Sequence, residues 1–536
     1  MSESMLDRVK KVQEKRQRLL DGGGLKAIER QHQAGKLTAR ERVEMLLDPG
    51  TFQEIDLWIR PIKTGFDIDE RELPADAVIT GFGEIGGRPV YVYSEDFTVL
   101  GGTFSAGFHH KVVRSMERAR EHGIPCIGII DSGGERIHDV FGRPGWRPIL
   151  GGSGRAPVGN SSCLYSAPGI NSGTVPQITL MLGPSYAGSA YSPTMADFYI
   201  MRNKIAFMSV ASPELLKAVT FAEVTKEEIG GAELHAKVTG IADFLTESDE
   251  EAIRICRELV SYIPLNNREK APLVASGDSP ERRDEALLSI VPADLSQPYD
   301  MHEVIRHIVD GGKFFELQEL FARSLIIGFG RLDGQTVGIV ANNPAESGGI
   351  LSLDTCDKEA RFVRWCDAFN VPLVFMVDTP GFASGVEQEQ SIDGLMRTVP
   401  KVVYAICEAT VPMITVYTGR CYGVARLIMG TLRMGVDFAY CWPSAQVARM
   451  NPEEAAGAIY RKEIAASKEP EKTQREMLAR LMQDYIHQPY HALELVMAND
   501  IVDPRDTRSV LIRTLKNLAH KQPTPRPWRK HSLVPR

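Results

Sequence analysis

Two stretches of this chain carry residue types and spacing suited to chemistry. Val175–Pro193 reads VPQITLMLGPSYAGSAYSP, and Val411–Ala425 reads VPMITVYTGRCYGVA. The first opens as an apolar strand over Ile178–Leu182. It breaks at Gly183-Pro184 and again at Ala187-Gly188-Ser189, and a helical pattern follows from about Tyr191. A strand, a tight turn and a helix start aim free backbone N–H groups at one point, where the helix N-terminus adds partial positive charge. Such a point suits an oxyanion, and small residues let a ligand approach the backbone. The chemistry would be stabilisation of negative charge developing on an oxygen, without a side-chain acid or base.

Taken singly, such small residues after a strand are more often packing or turn residues. The second copy changes this. Val-Pro, Ile-Thr, Gly183/Gly419 and Tyr186/Tyr422 coincide at a shift of 411 − 175 = 236. Upstream, Gly81-Phe82-Gly83 matches Gly328-Phe329-Gly330 at a shift of 328 − 81 = 247. At that shift Gly101-Gly102 meets Gly348-Gly349, Pro125 meets Pro372, Asp131 meets Asp378 and Gly134 meets Gly381. The shifts differ by 247 − 236 = 11, so the first copy carries about that many extra residues, within Val140–Gly173. One register held over about fifty positions marks a duplicated domain.

The elements that must position these turns repeat as well. Ala77–Phe82 and Pro89–Ser94 read as strands around the turn Ile85–Arg88, followed by a helix over Phe108–Glu121 and a strand over Cys126–Ile130. The second half offers a helix over Cys356–Phe369 and a strand over Leu373–Val377. Thr38-Ala-Arg-Glu41 is a capping box opening a short helix. Leu6–Glu29 is amphipathic and broken at Gly22–Gly24, Pro264–Pro298 reads as a connector, and Glu453–Ala498 reads as helical. The class is α/β, with two tandem domains at 1–283 and 284–536.

Composition narrows the function classes. The chain has 536 residues, 43% hydrophobic and 24% charged, which is ordinary for a globular protein of two or more domains. A net charge of −7 provides no general field for nucleic acid, so an anionic substrate needs a local basic patch. Eight scattered cysteines without a Cys-x-x-Cys pair point to a reducing, cytoplasmic setting and to no metal site. No apolar run nears the length of a membrane span.

Other motifs fail on context. Gly81-x-Gly83-x-x-Gly86 spells a dinucleotide fingerprint, but a strand follows it instead of a helix. Ser132 lacks the glycine two residues earlier that a nucleophile elbow needs, and reads as a turn residue. His109-His110 has no third ligand nearby and reads as packing or surface. There is no phosphate-binding loop and no calcium loop.

The chain resembles the carboxyltransferase (beta) subunit family of biotin-dependent acyl-CoA carboxylases, in particular propionyl-CoA carboxylases. The resemblance spans nearly all of it. It rests on Gly35-Lys-Leu-Thr-Ala-Arg-Glu-Arg42, Asp131-Ser-Gly-Gly134, Val175-Pro-Gln-Ile178, Tyr191-Ser-Pro193, Ala360-Arg-Phe-Val-Arg364, Asp367-Ala-Phe-Asn-Val-Pro372, Asp503-Pro-Arg-Asp-Thr-Arg508 and Pro527-Trp-Arg-Lys-His531. It implies two crotonase-like (ClpP-like) domains and a hexamer built as a trimer of dimers, with active sites at the dimer interface. In the implied chemistry, carboxybiotin arrives on a partner protein and releases CO2. The biotin enolate is held by the second turn and the acyl-CoA thioester by the first. Both turns then stabilise charge that grows in the transition state.

Carried over residue by residue, the catalytic N–H groups are those of Gly188 and Ser189 in the first turn, and of Val424 and Ala425 in the second. Gly101, Gly102, Ser132, Gly133, Gly134, Ala187, Tyr191 and Leu427 fall to the acyl-CoA, and Gly423 and Arg426 to biotin. The family's usual Gly-Gly-Ala is replaced in both turns. Val424 is β-branched and disfavours positive φ, so a strained or altered biotin turn is expected. Leu427 and Arg426 replace the family's usual Asp or Ile and an aromatic residue, and the Val140–Gly173 insert with Trp146, Leu150 and Tyr165 reads equally as a loop that shapes acyl selection or as a surface or interface loop. No Met-Lys dipeptide is present. The resemblance therefore leaves biotin, biotin carboxylase and the biotin carboxyl carrier to partner proteins. The alternatives are the carboxyltransferase subunit of a biotin-dependent decarboxylase and a catalytically weak structural homologue. A crotonase-type hydratase is disfavoured because no carboxylate pair is evident at the turns.

Overall fold

The computed structural model describes residues 4–61, 63–141, 163–186, 188–383, 385, 386, 390, 394–486, 489–522, 529, 532 and 533. The chain divides into two compact units, Met1–Glu269 and Lys270–Arg536. The boundary expected at 283/284 lies 14 residues further on (283 − 269). Residues of the connector hold to the second unit: Val274 N donates to Gly334 O at 3.1 Å, and Arg282 Nη1 donates to His307 O at 2.8 Å.

Each unit is built on one mixed sheet. In the first the order is Gln53–Ile55, Val78–Ile85, Arg88–Glu95, Cys126–Ile130, Gln177–Met181, Phe198–Arg202 and Phe244–Thr246. The first three strands run antiparallel and the rest pair parallel. In the second the order is Phe315–Leu317, Leu325–Leu332, Gln335–Asn342, Leu373–Thr379, Met413–Tyr422, Phe438–Cys441 and Asp500–Ile501, with Gln446–Ala448 also pairing to Met413–Tyr422. The central strands are buried along their whole length, which is why they read as continuous apolar runs without alternation.

The duplication is visible in the register. Tyr91 pairs with Cys126 and Gly338 with Leu373, both partners moved by 247. Cys126 pairs with Gln177 and Leu373 with Met413, where 177 + 236 = 413. Phe104 N donates to Gly134 O at 2.9 Å, and Leu351 N to Gly381 O at 3.0 Å. The helix after each antiparallel pair begins at a serine cap: Ser105 Oγ accepts from Phe108 N, and Ser352 Oγ from Thr355 N. The helices run Ala106–His122 and Leu353–Ala368. Both start earlier than expected, because the cap sets the start and not the first large apolar residue. Each helix drives one buried lysine into backbone carbonyls. Lys111 Nζ donates to the carbonyls of Ala75 and Val78, and Lys358 Nζ to those of Gln318, Phe321 and Leu325. Burial pulls the Lys111 ammonium down to about 8.

Glu359 breaks this pattern of satisfied buried polar groups. It lies in the helix Leu353–Ala368 with no exposed surface, and neither carboxyl oxygen has a hydrogen-bond partner among the described residues. Burial holds its pKa well above the ordinary glutamate value. The folded carboxyl therefore keeps its proton where the unfolded one, near 4.5, has lost it. With more protons on the folded state, stability falls as pH rises, by about 1.4 kcal/mol per pH unit above the unfolded pKa. Denaturation of wild type and Glu359→Gln at pH 5, 6, 7 and 8 should show the variant gaining steadily with pH. A difference constant across that range would mean the carboxyl ionises normally.

The expected helical stretch Glu453–Ala498 is present in pieces: Pro452–Ile459, Arg461–Ala466, Pro470–Leu481 and Tyr490–Glu494, with a π-turn at Met482–Ile486. Among the described residues no helix is long and apolar enough to cross a membrane.

Candidate functional site

The first turn grows from the strand Gln177–Met181. At Gly183 an added Cβ would lie 1.9 Å from Asp131 Oδ1, so no side chain fits there. The chain pairs briefly as Pro184–Tyr186 against Phe207–Ser209 and enters a helix at Gly188–Thr194. The helix thus starts at Gly188 and not near Tyr191. Ala187 lies outside the described residues. Ser189 is buried and its hydroxyl closes the turn, donating to Tyr186 O at 2.6 Å and accepting from Tyr186 N at 3.1 Å. A side chain at Gly188 would meet Tyr165 Oη at 2.7 Å, and that hydroxyl donates to Gly188 O at 2.9 Å. Tyr191 is half exposed and edge-on to Tyr165, with ring centroids 6.4 Å apart. What this turn can offer a ligand is backbone N–H: the first N–H groups of a helix have no acceptor within it.

The glycine pairs expected beside the turn are joined to it by hydrogen bonds. Gly101 and Gly102 both adopt φ of 65°, the left-handed region that glycine tolerates. Gly133 N donates to Gly101 O at 2.8 Å, and Ser132 Oγ donates to Gly102 O at 2.7 Å. Gly134 N donates to Ser132 Oγ at 3.0 Å, and Ser132 N donates to Pro184 O at 2.9 Å. Ser132 is therefore a turn residue, and Gly101, Gly102, Ser132, Gly133 and Gly134 form one rim against the first turn. Gly101 also lines a cavity of about 630 Å3 with Arg30, Lys36, Arg71 and Phe97. Glu72 lines it as well and Lys36 is paired with Asp131, so Arg30 and Arg71 are its remaining cations.

Asp131 anchors the rim. It has no exposed surface and accepts from Lys36 Nζ at 2.7 Å, Arg42 Nη1 at 2.8 Å and Gln31 Nε2 at 2.9 Å. Arg42, equally buried, also donates from Nε to Asp249 Oδ2 at 2.8 Å and from Nη2 to Leu182 O at 3.1 Å. Lys36 and Arg42 of the segment Gly35–Arg42 thus tie the end of one strand to the start of the first turn. Asp378 repeats the arrangement: it accepts from Arg420 Nε at 2.7 Å and Tyr299 Oη at 3.0 Å, and a Cβ at Gly419 would lie 2.2 Å from its carboxylate.

The second turn corrects two expectations. The residue with positive φ is Gly423, at 61°, while Val424 sits at φ −71° and ψ −27°. A β-branched residue adopts that conformation without strain, so Val424 does not distort the turn. The following helix is only Ala425–Ile428, and that of the first turn only Gly188–Thr194. Helices this short sum few peptide dipoles, so any charge stabilisation must come from the N–H donors themselves. Gly423 N is committed to Ala448 O at 3.1 Å, which makes Gly423 a turn former, and its side-chain direction is open space. Val424 is exposed and Ala425 buried. Leu427 is partly buried, and its N–H donates to Val424 O at 2.8 Å. Arg426 turns toward the protein, with Nη1 3.4 Å from Thr431 Oγ1 and a buried Nε that has no partner among the described residues. The side-chain direction of Gly423 is open and the Val424 side chain is exposed.

Residues 30–534 match the model of the carboxyl transferase domain. The chain is 41% identical to a propionyl-CoA carboxylase carboxyltransferase subunit of Haloferax mediterranei, over 99% of this chain and all of that one. It is 38% identical to a methylmalonyl-CoA decarboxylase alpha subunit of Veillonella parvula, over 99% of each. The crystal structure of a transcarboxylase 12S hexamer with methylmalonyl-coenzyme A and methylmalonic acid bound matches with TM-score 0.92 and 39% identity, over 100% of this chain and 99% of that one. The chain belongs to the carboxyl transferase domain family. Its two units are tandem repeats of the family's crotonase-like fold, and its activity is biotin-dependent carboxyl transfer.

Two polar side chains near the first turn of this carboxyl transferase are not among the expected site residues. Glu135, directly after Gly134, has Oε1 3.8 Å from Nε2 of His109, which is buried in the first turn of the helix Ala106–His122. The only sequence signal was position: Glu135 continues the Asp131–Gly134 loop. Of the Val140–Gly173 insert, the helix Cys163–Asn171 is described, and Trp146 and Leu150 lie outside the described residues. Among the described residues no group of three or more His, Cys, Asp or Glu could hold a metal ion.

Proposed function

We propose that the chain is the carboxyltransferase subunit of a biotin-dependent acyl-CoA carboxylase, moving a carboxyl group from carboxybiotin on a carrier protein to the α-carbon of a short, propionyl-like acyl-CoA. The observation that carries this is the pair of strand–turn–helix junctions at matching places in two duplicated sheets. The first turn closes through the Ser189 hydroxyl and the second through Gly423, and the donors this reading uses are the backbone N–H groups that follow.

In this reading the N–H groups of Gly188 and Ser189 hold the thioester oxygen as the α-carbon loses its proton. Those of Val424 and Ala425 hold the ureido oxygen of biotin. Biotin, when bound, supplies the activated carboxyl group and the nitrogen that takes the α-proton. Each donor aimed at developing charge contributes about 3 kcal/mol to lowering the barrier. Gly101, Gly102 and Ser132–Gly134 form the wall along which the acyl-CoA lies, with Arg30 and Arg71 of the basic cavity placed for its phosphates. Tyr191 borders the thioester, Leu427 the acyl group, and Arg426 backs the biotin turn. A biotin carboxylase and a biotin carboxyl carrier are the partner subunits, the assembly is a hexamer, and the setting is cytoplasmic.

The decarboxylase alpha subunits among the relatives support a second reading, in which the same two turns run the transfer in reverse. The chain purified with its native partners and given ATP, bicarbonate and a panel of acyl-CoAs separates them. The carboxylase reading expects ATP-dependent carboxylation of a short acyl-CoA. Decarboxylation alone, coupled to a membrane partner, would favour the second.

A further inference from the structure

We propose that Glu135 and His109 form a polar acyl pocket that selects an acyl-CoA whose acyl chain carries a hydroxyl group. The inference rests on the carboxyltransferase reading and narrows its substrate.

His109 is 5% exposed, and its Nε2 is buried with no hydrogen-bond partner among the described residues. A buried ring nitrogen without a partner costs free energy, so such an atom marks a place where something binds or where stability is given up. The neighbour that faces it is Glu135 Oε1, at 3.8 Å. That separation is too long for a hydrogen bond between the two. One oxygen atom about 2.8 Å from each, at the apex of a triangle on the 3.8 Å base, would bridge the two.

The chemistry of the pair narrows what that oxygen belongs to. Burial, helped by the charge of Arg136, pulls the His109 imidazole down to about 4, so the ring is neutral and Nε2 makes one hydrogen bond, as donor or acceptor. Burial, then the charge of Asp139, raises the Glu135 carboxyl. Arg136 does not answer Glu135, because its guanidinium is committed to Asp76 Oδ1 at 2.9 Å and Thr103 O at 3.0 Å. A hydroxyl can donate to one partner and accept from the other. An alkyl group can do neither, and a second carboxylate would meet the charge of Glu135 and Asp139.

The pair stands next to the first turn. The side-chain direction of Gly134, the residue before Glu135, points at Tyr186 O, 3.7 Å away. Burial, then the charge of Glu135, raises the Tyr165 hydroxyl, which donates to Gly188 O at 2.9 Å. Phe104 stands edge-on to His109, with ring centroids 5.7 Å apart, so the imidazole has an apolar neighbour. The Glu135 side chain is 37% exposed, so a ligand can reach it.

The test is calorimetric binding of 2-hydroxypropionyl-CoA, 3-hydroxypropionyl-CoA and propionyl-CoA to the intact protein, wild type against Glu135→Leu and Glu135→Gln. One of the hydroxylated compounds should bind wild type at least about tenfold tighter than propionyl-CoA, since sites built around a hydroxyl discriminate strongly against its loss. Glu135→Leu should abolish that ratio, and Glu135→Gln, which keeps an acceptor of the same shape, should restore part of it. Equal binding of all three compounds to wild type, or a ratio unchanged in Glu135→Leu, overturns the proposal and leaves an ordinary water between the two side chains. Turnover is measured separately: hydroxyl preference without carboxyl transfer counts against the carboxyltransferase reading, and transfer without preference counts against this one.

Discussion

Val424→Pro is expected to slow carboxyl transfer by about 10²–10³-fold, the usual effect of removing one oxyanion donor. The proline ring deletes the N–H, but it also restricts the backbone of Gly423 before it, which holds the left-handed turn, so the variant's fold is checked alongside its rate. Val424 already sits at φ −71°, within the range proline fixes, and its side chain is exposed, so little packing is lost. Val424→Ala and Val424→Gly keep the donor and should stay within about threefold of wild type, a small change beside the loss of a donor. Because Gly423 and not Val424 holds the left-handed conformation, glycine at 424 relieves no strain and brings no gain. The measurement is transfer from carboxybiotin by variants whose oligomeric mass matches wild type. A correctly assembled Val424→Pro protein with full transfer would remove this N–H from the mechanism.

Arg42→Leu is expected to destabilise the first unit by about 3–5 kcal/mol, since it leaves two buried carboxylates short of a partner. Asp131 keeps Lys36 and Gln31, and Asp249 keeps Arg202 at 2.6 Å, but the link between the two acids and the bond to Leu182 O are lost. The loss acts on the strand end that leads into the first turn, so activity should fall with stability. Denaturant titration followed by a probe in the first unit checks it. A cost below about 1 kcal/mol, the range of an exposed ion pair, would mean that water reaches Arg42.

The duplication was legible because a constant shift in sequence becomes a constant register in a sheet. The pairs Tyr91–Cys126 and Gly338–Leu373, and the buried lysines Lys111 and Lys358, stand 247 residues apart for that reason. The strands announced themselves as apolar runs because helices and loops cover both faces. The rim was legible in part: Gly101, Gly102 and Gly134 stood out by the repeat register and the resemblance, and the backbone has positive φ at all three. Other features were not legible. The turn letters Gly423-Val424-Ala425 do not say which residue turns left-handed; that depends on Gly423 N reaching Ala448 O, a pairing made 25 residues away (448 − 423). His109 read as a packing residue because its neighbour Glu135 lies 26 positions on (135 − 109), on the far side of a strand. The segment Gly35–Arg42 was visible only as a signature; its reason, the tie to Asp131 and Asp249, is tertiary.

The most direct test of the mechanism supplies the purified chain with methylmalonyl-CoA and free biotin, without ATP. Two donor turns that stabilise both enolates should catalyse biotin-dependent loss of the carboxyl group from the CoA ester, and Val424→Pro should suppress it. Carboxyl loss that proceeds equally without biotin, or none at all from a correctly assembled protein that binds the CoA ester, would contradict the central claim that the two turns together carry carboxyl transfer.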